Sequence, residues 1–202
     1  MCYLSDGGVA LLIATAGVAL MNAAASAPMP GNLALQGRLT ASSSATEPEG
    51  KYGVKRAADN DLATHWASAS EAALPQWLKV EWNGPQTVDT VMVSIFSVQA
   101  PNLYAAWKRF EIEFSDGTKV ERELPPEEQD TVFLRLERPL QTTSATLRIL
   151  EVYEPKVYVG VDEFRLFYDP DRRLRPPKKV ARPKPRASLA VGPRRPHPCV
   201  YI

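Results

Sequence analysis

Cysteine is nearly absent from this sequence of 202 residues, which contains only Cys2 and Cys199, at opposite ends. Two such distant cysteines form neither a disulfide framework nor a cysteine-rich metal cluster. Histidine is equally scarce, with only His65 and His197. A histidine-based zinc site or a Ser-His-Asp triad would therefore depend on His65 alone. Because nucleophile-elbow, phosphate-loop and dinucleotide-binding motifs are also missing, we predict that the chain is not an enzyme.

Long apolar runs are missing as well. The run at residues 9–21 is shorter than the roughly 20 residues that a membrane-spanning helix needs. It leads into small residues ending at Ala27, as in a secretory signal peptide, although Asp6 precedes it and no basic residue does. We expect residues 1–27 to be a signal peptide, with an uncleaved anchor or a misassigned start as alternatives. The protein would then be secreted, periplasmic or attached to the cell surface.

Charge is unevenly distributed, although the whole chain carries only +1. Residues 171–202 contain ten Lys or Arg, one Asp and seven prolines, so they carry +9 and the rest of the chain −8. With few large apolar side chains, we expect this segment to be a disordered basic tail. Its charge could attract anionic lipid or acidic cell-wall polymer. The lack of aromatic residues between the basic ones disfavours nucleic acid as a partner, and a solvated tail without a specific partner is the alternative.

Between these two segments, apolar and polar residues alternate in short runs, as in half-buried strands. Asp116-Gly117 between two such runs predicts a hairpin, because the tight turn needs a positive φ, and Asn83-Gly-Pro85 is expected to end another strand. No helical stripe exceeds two turns, so the pattern predicts an all-β sandwich or barrel. The alternating runs are Leu78, Val80 and Trp82; Val91, Val93 and Ile95; Phe110, Ile112 and Phe114; Val132, Leu134 and Leu136; and Leu147 and Ile149.

The most informative loop combines acidic residues with a large aromatic one. Asp59, Asp61 and Thr64 supply hard oxygen ligands within a few residues, which is the kind of donor that calcium prefers. Trp66 follows directly and can bury a large side chain behind the loop. An Asp-Asn-Asp sequence also occurs in many turns without a metal, so alone it is a weak signal.

The order of several motifs is more specific than any one of them. Ala41-Ser-Ser-Ser44 precedes this loop, Gln76-Trp-Leu-Lys-Val80 follows it, and Gly160-Val-Asp-Glu-Phe-Arg-Leu166 closes the series. The order resembles the discoidin (coagulation-factor type C, F5/8 type C) family, which includes galactose-binding-like carbohydrate modules. Within that family, residues 147–163 most resemble the glycan-binding domain attached to secreted NAD glycohydrolases. The resemblance implies an all-β, antiparallel jelly-roll β-sandwich of the galactose-binding-domain-like type over residues 28–170.

The resemblance also implies a structural calcium ion that ties the acidic loop to the last strand. Asn60 stands where the family usually has Gly, and Asn can adopt the same left-handed conformation. The alternative is a pair of surface acids neutralised by Lys55 or Arg56. The ligands carried over from the family are the carbonyls of Arg56, Asp61 and Asp162, the carboxylates of Asp59 and Glu163, and the hydroxyl and carbonyl of Thr64.

In this family, loops at one end of the sandwich bind the ligand, and the candidate loops here are residues 97–108 and 153–158. Sugars need a flat aromatic face for their C–H surface and amide or charged donors for their hydroxyls. Tyr104, Trp107, Arg109 and Asn102 are the candidates in one loop region, and His65 is the candidate next to the acidic loop. Trp107 could equally plug the end of the sandwich, and His65 could simply be solvated.

We therefore predict a secreted, non-catalytic glycan-binding module with a calcium site. Two other partner classes stay open for the same fold. One is a protein partner, for which the sandwich would act as an adaptor. The other is an anionic membrane, into which Leu103, Tyr104 and Trp107 would insert while the basic tail added electrostatic attraction.

Overall fold

The computed structural model describes residues 29–45 and 51–177 of the chain. Within them, the only helices are two short 3-10 turns, Leu33–Gln36 and Val54–Ala58. Neither is long enough to cross a membrane. The seven strands are β1 (Arg38–Ala41), β2 (Trp66–Ala67), β3 (Gln76–Ile95), β4 (Trp107–Phe114), β5 (Lys119–Glu123), β6 (Thr131–Val152) and β7 (Gly160–Phe167).

Two long, bent strands build both layers of the fold. The strands pair in the order β2-β7-β3-β6-β4-β5, with β1 on β3, and every pairing between named strands is antiparallel. The first half of β3 pairs with β1 and the second half of β6, and β4 and β5 complete this first layer. The second half of β3 pairs with β7 and the first half of β6 in the second layer. The predicted antiparallel β-sandwich is confirmed.

The alternating runs point into the space between the layers. Phe110, Ile112 and Phe114 are buried, while the acidic residues between them stay partly exposed. Burying such side chains is worth about 1.5–3 kcal/mol each, so these runs supply much of the driving force for folding. Trp66 is also fully buried, and its indole N–H donates to the Ser43 carbonyl at 3.0 Å, which confirms its role as an anchor behind the acidic loop.

Two turn predictions had different outcomes. At Asp116-Gly117 the chain forms the expected hairpin turn, in which Gly117 has a φ of +86° and Asp116 accepts from the Thr118 N–H at 2.9 Å. The Asn83-Gly-Pro85 segment was expected to end a strand, but β3 continues through it. The register shifts there, between Glu81 and Gln86, and this irregularity carries β3 from one layer to the other.

The chain after β7 remains attached to the sandwich for several residues. The buried Asp169 carboxylate accepts from the backbone N–H groups of Arg173 and Leu174 at 2.8 and 2.9 Å, and from Arg135 at 2.9 Å. Burial alone would raise the pKa of Asp169, but these hydrogen bonds hold it below its ordinary value. Residues 178–202, which include most of the predicted tail, lie outside the described residues, as does the predicted signal peptide at residues 1–27.

Candidate functional site

Five aromatic rings meet at one end of the sandwich. His65 precedes β2, Phe96 directly follows β3, and Tyr158 precedes β7, so the ends of three strands meet here. Tyr104 comes from the loop between β3 and β4, and its backbone forms an isolated bridge with Tyr158. We call this group the aromatic cluster, and its members are Tyr52, His65, Phe96, Tyr104 and Tyr158.

His65 is at the centre of the aromatic cluster. Its ring stacks on Phe96 with 3.6 Å between centroids and a 7° interplanar angle. Its Nε2 lies 2.9 Å from the Tyr104 hydroxyl, and the Tyr52 ring is 4.9 Å away. Burial, aided by the charge of Lys51, lowers the pKa of His65 to about 4, so the ring is neutral at physiological pH. Burial also raises the pKa of Tyr104 to about 12, so its hydroxyl keeps its proton.

Backbone pairing holds the aromatic cluster in place. The Phe96 N–H donates to the Gly160 carbonyl at 3.2 Å, and the Tyr158 N–H donates to the Leu103 carbonyl at 2.9 Å. The Tyr104 ring packs so closely over Gly160 that a Cβ there would lie 2.8 Å from it. Position 160 therefore needs glycine because of this close approach.

The rim of the aromatic cluster is exposed and carries little charge. Leu103 and Val98 are 49% and 38% exposed, and Asn102 is exposed between them in the same loop. The Lys51 ammonium lies 5.3 Å from the centre of the Tyr52 ring. This end thus offers apolar surface, an amide and one ammonium group to a ligand.

The structure brings together three of the five predicted ligand residues. His65 and Tyr104 touch, and Asn102 lies two residues from Tyr104 on the rim. Trp107 is fully buried in the core, so the prediction that it contacts a ligand is wrong. Its bulky indole fills the space near Phe110, with ring centroids 5.9 Å apart, which corresponds to the alternative of a plug inside the sandwich.

Arg109 is also placed differently from the prediction. It extends from β4 over the outer surface of the first layer, where it donates to Glu151 at 2.6 Å and to Glu121 at 2.7 Å. Its guanidinium therefore belongs to a network of surface ion pairs. Register shifts on either side of Arg109 in the β4–β6 pairing turn this side chain away from the core.

Sequence reasoning missed two members of the aromatic cluster, Tyr52 and Phe96, and included a third, Tyr158, only as the last residue of a candidate loop. Each lies just outside a strand or in a loop, where periodicity carries no signal. Their common feature is an aromatic residue next to a strand end or turn. That feature alone does not indicate which of the chain's aromatic residues converge.

The acidic loop has the conformation that the resemblance implies. Asn60 adopts a φ of +62°, in the left-handed region. The Thr64 hydroxyl donates to the Asp59 carboxylate at 2.8 Å and lies 3.0 Å from the Asp61 carbonyl. The Asp61 N–H lies 3.0 Å from both Asp59 Oδ1 and Glu163 Oε1, so the loop is tied to β7.

Glu163 is the most unusual residue of this loop region. The side chain is fully buried, and its Oε2 has no hydrogen-bond partner in the described structure. Burial, together with the nearby Asp59, raises the pKa of Glu163 to about 7, although the charge of Arg165 opposes the shift. The Arg165 guanidinium lies 3.8 Å from this oxygen, too far for a hydrogen bond, so the buried carboxylate is only partly compensated and a further cation beside it would be stabilising.

The other two residues of the predicted calcium set are Arg56 and Asp162, and they do not both favour a calcium ion. Arg56 lies with its guanidinium 3.4 Å from Asp59, as expected if the acids are neutralised by a neighbouring base. Asp162 is buried, and burial raises the pKa of its carboxyl to about 6. Across the described residues, no three Asp, Glu, His or Cys side chains gather as a metal cluster. The implied set requires only two carboxylates, and its other donors are carbonyls and one hydroxyl.

Comparison with known proteins assigns the family. Residues 32–167 match a family model described as "Domain of unknown function (DUF7402)". The chain belongs to this family. None of the curated proteins compared with it matches.

Solved structures with the same fold include carbohydrate-binding modules. Chitosan-binding module 1 from a chitosanase/glucanase of Paenibacillus sp. IK-5 is 21% identical, with 68% of this chain and 99% of that chain covered and a TM-score of 0.54. The family 32 module from C. perfringens NanJ, solved in complex with galactose, is 14% identical, with 67% and 96% covered and a TM-score of 0.54. At these identities the likeness shows the fold, which is galactose-binding-like.

A third similar structure is the arabinofuranosyltransferase AftD from Mycobacteria, which is 31% identical with a TM-score of 0.55. The alignment covers 66% of this chain but only 10% of that one, so the likeness concerns one small part of a large enzyme. The closer resemblance to domains of secreted NAD glycohydrolases is not tested by these comparisons and stays a prediction.

Proposed function

We propose that the chain is a non-catalytic glycan-binding module of an exported protein, and that the glycan binds at the aromatic cluster. The observation that carries this proposal is the neutral, half-buried His65 stacked on Phe96 beneath an exposed loop. The solved modules named above, one of them in complex with galactose, support the ligand class.

The chemistry of this end suits a sugar. Leu103 and Val98 offer apolar surface to the C–H face of a pyranose ring. The exposed Asn102 offers an amide, and the partly exposed Tyr52 offers a hydroxyl. Because His65 is neutral, it presents no charge that would need a compensating anion. The Tyr104 hydroxyl and the His65 imidazole form a hydrogen bond with each other, so their geometry is set before a ligand arrives.

We further propose that a structural calcium ion is held by the acidic loop and β7. The buried Oε2 of Glu163, which accepts no hydrogen bond in the described structure, supports this, together with the Asp59 carboxylate and the hydroxyl of Thr64. The carbonyls of Arg56, Asp61 and Asp162 would complete an all-oxygen set. Since Thr64 directly precedes His65, an ion at this point would also brace one side of the aromatic cluster.

One observation favours a second candidate, binding to an anionic membrane. Leu103 and Val98 protrude from the same loop, as apolar side chains must to insert into lipid. Tyr104 and Trp107 cannot join them, because they are 6% and 0% exposed. A protein partner is the remaining alternative, and the exposed apolar rim suits it equally.

The test is a glycan-array screen of the full chain, followed by calorimetry with the best glycan found. We expect Tyr52→Ala and Asn102→Ala to weaken binding severalfold without unfolding the domain. Tyr168→Ala is the matched control, because this exposed tyrosine follows the opposite end of β7. Equal loss with all three variants, or binding to phosphatidylserine vesicles but to no glycan, would contradict the proposal.

A further inference from the structure

A groove of about 930 Å³ opens on the side of the sandwich, between β5 and the first half of β6. In the described structure, β5 pairs only with β4, and residues 131–135 of β6 pair only with β3. The two layers thus end in free strand edges that are not joined to each other. The groove lies between these edges, and its size is typical of ligand-binding pockets, about 300–1,000 Å³.

Apolar side chains from both edges line the groove. Val120 comes from β5, and Phe133, Leu136 and Leu140 come from β6, and all four are partly exposed. The lining on the β5 side runs from the hairpin turn at Asp116 along the strand to Arg122, and the lining on the β6 side runs from Phe133 to Gln141. The groove thus follows two strand edges, which suits an extended ligand.

Arg122 and Arg138 both line this groove, and both lack a partner. Within residues 29–45 and 51–177, neither side chain makes a hydrogen bond or an ion pair. The other arginines on strands are all used to neutralise a carboxylate within 4.0 Å. They are Arg38, Arg109, Arg135, Arg148 and Arg165.

The remaining charges at the groove are mostly engaged elsewhere. Lys119 and Glu121 pair with residues of β4, and Asp116 accepts from Thr118 in the hairpin turn. Glu137 is the one lining carboxylate without a partner in the described structure. The free groups are therefore two guanidinium groups and one carboxylate.

We propose that this groove is a second glycan-binding site, which takes an extended acidic oligosaccharide. Arg122 and Arg138 would bind its carboxylates through paired N–H donors. Glu137 accepts from sugar hydroxyls, and the apolar lining packs against ring C–H groups. The site is separate from the aromatic cluster. The inference rests on the proposed function only in choosing a glycan rather than another anion as the ligand.

An acidic peptide is the main competitor, because free strand edges can pair with an extended chain. The free Glu137 favours the sugar, because each sugar ring has hydroxyl groups that can donate to this carboxylate. The ionised side chains of an acidic peptide have no donor for it.

The experiment is a titration of the isotope-labelled full chain with a short oligogalacturonate at low ionic strength, followed by NMR. We expect backbone amide shifts in residues 119–123 and 131–138, and about tenfold weaker binding in the Arg122→Gln/Arg138→Gln variant. Both arginines are exposed, so this variant should fold, and its Tm checks that.

The matched control is Arg194→Gln/Arg195→Gln, which removes the same charge from the basic tail. Unchanged binding in this control supports the groove, whereas an equal loss means that the tail attracts the anion and overturns the proposal. Polyglutamate that causes the same amide shifts with equal affinity would also overturn it, in favour of a peptide site.

An uncharged oligogalactoside of the same length separates this inference from the proposed function. If Tyr52→Ala weakens binding of this neutral glycan and the arginine variant does not, the neutral glycan binds at the aromatic cluster. If no neutral glycan binds there but oligogalacturonate still shifts the groove amides, the proposed function fails and the groove site stands.

Discussion

The aromatic cluster and the outer surface of the first layer arrange their polar groups in opposite ways. On the outer surface, charged side chains pair with one another, as Arg109 does with Glu151 at 2.6 Å and Arg148 with Glu113 at 2.8 Å. At the aromatic cluster, the polar groups are neutral and one of them, His65, is sandwiched among rings.

The difference indicates which surface is available to a ligand. Hydrogen bonds from Lys108 and Arg109 lower the pKa of Glu151, so the carboxylate stays ionised and engaged with its neighbours. Exposed ion pairs of this kind contribute little to stability, but they leave few donors free. The rim of the aromatic cluster, in contrast, exposes apolar side chains that no other part of the described structure covers.

The largest expected effect is a loss of stability from a substitution in the core, outside the aromatic cluster. Trp107→Ala should lower the free energy of unfolding by about 3–5 kcal/mol, because it leaves a large cavity in the core. Chemical denaturation measures this, with the partly exposed Trp77→Ala as a control that should lose less. If the Trp107→Ala protein has normal stability but no longer binds glycan, Trp107 contacts the ligand after all.

Calcium should stabilise the side of the aromatic cluster that adjoins the acidic loop. Calcium at about 100 times its Kd should raise the free energy of unfolding by about 2.7 kcal/mol, because the ion binds only the folded chain. Thermal melts of chelator-treated protein with and without calcium measure the shift. Asp59→Ala should abolish it, whereas Asp116→Ala, in a similar turn outside the loop, should not. An identical Tm in both conditions would exclude the proposed ion.

A smaller effect is expected where the backbone supports the aromatic cluster. In Gly160→Ala the added Cβ would meet the Tyr104 ring at 2.8 Å and the Phe96 carbonyl at 3.0 Å. We expect a loss of about 1–3 kcal/mol in the free energy of unfolding and weaker glycan binding, because Tyr104 must move. Gly84→Ala is the control, since nothing lies within 4 Å of its Cβ position. Similar losses in both variants would mean that Gly160 has no special role.

The smallest effect is expected on the outer surface. Arg109→Ala should leave the Tm and glycan binding within experimental error, because its ion pairs are exposed and its neighbours can pair with Lys108 instead. Scanning calorimetry and the glycan titration check both. Loss of glycan binding with normal folding would show that this surface, and not only the aromatic cluster, contacts the ligand.

Local patterns predicted the strands better than they predicted the site. The alternation at Phe110, Ile112 and Phe114 was sufficient, because period two leaves one face for burial wherever the strand lies. The Asn83-Gly-Pro85 segment was misread as a strand end, because the same residues can also kink a strand that continues in the other layer. Trp107 was misassigned because it is the first residue of a strand. The neighbouring sequence does not indicate whether an aromatic residue at that position lies in the core or on the surface.

By itself, the sequence determined the all-β class, the burial of Trp66 and the order of oxygen donors in the loop from Asp59 to Thr64. These depend on residues that are close together in the chain, so local periodicity and turn chemistry are enough. Only the tertiary structure decided that Tyr52, His65, Phe96, Tyr104 and Tyr158 share one end, and that two unpaired arginines face one groove. Those arrangements follow from which strands pair and where β3 and β6 bend, and these are set by long-range contacts.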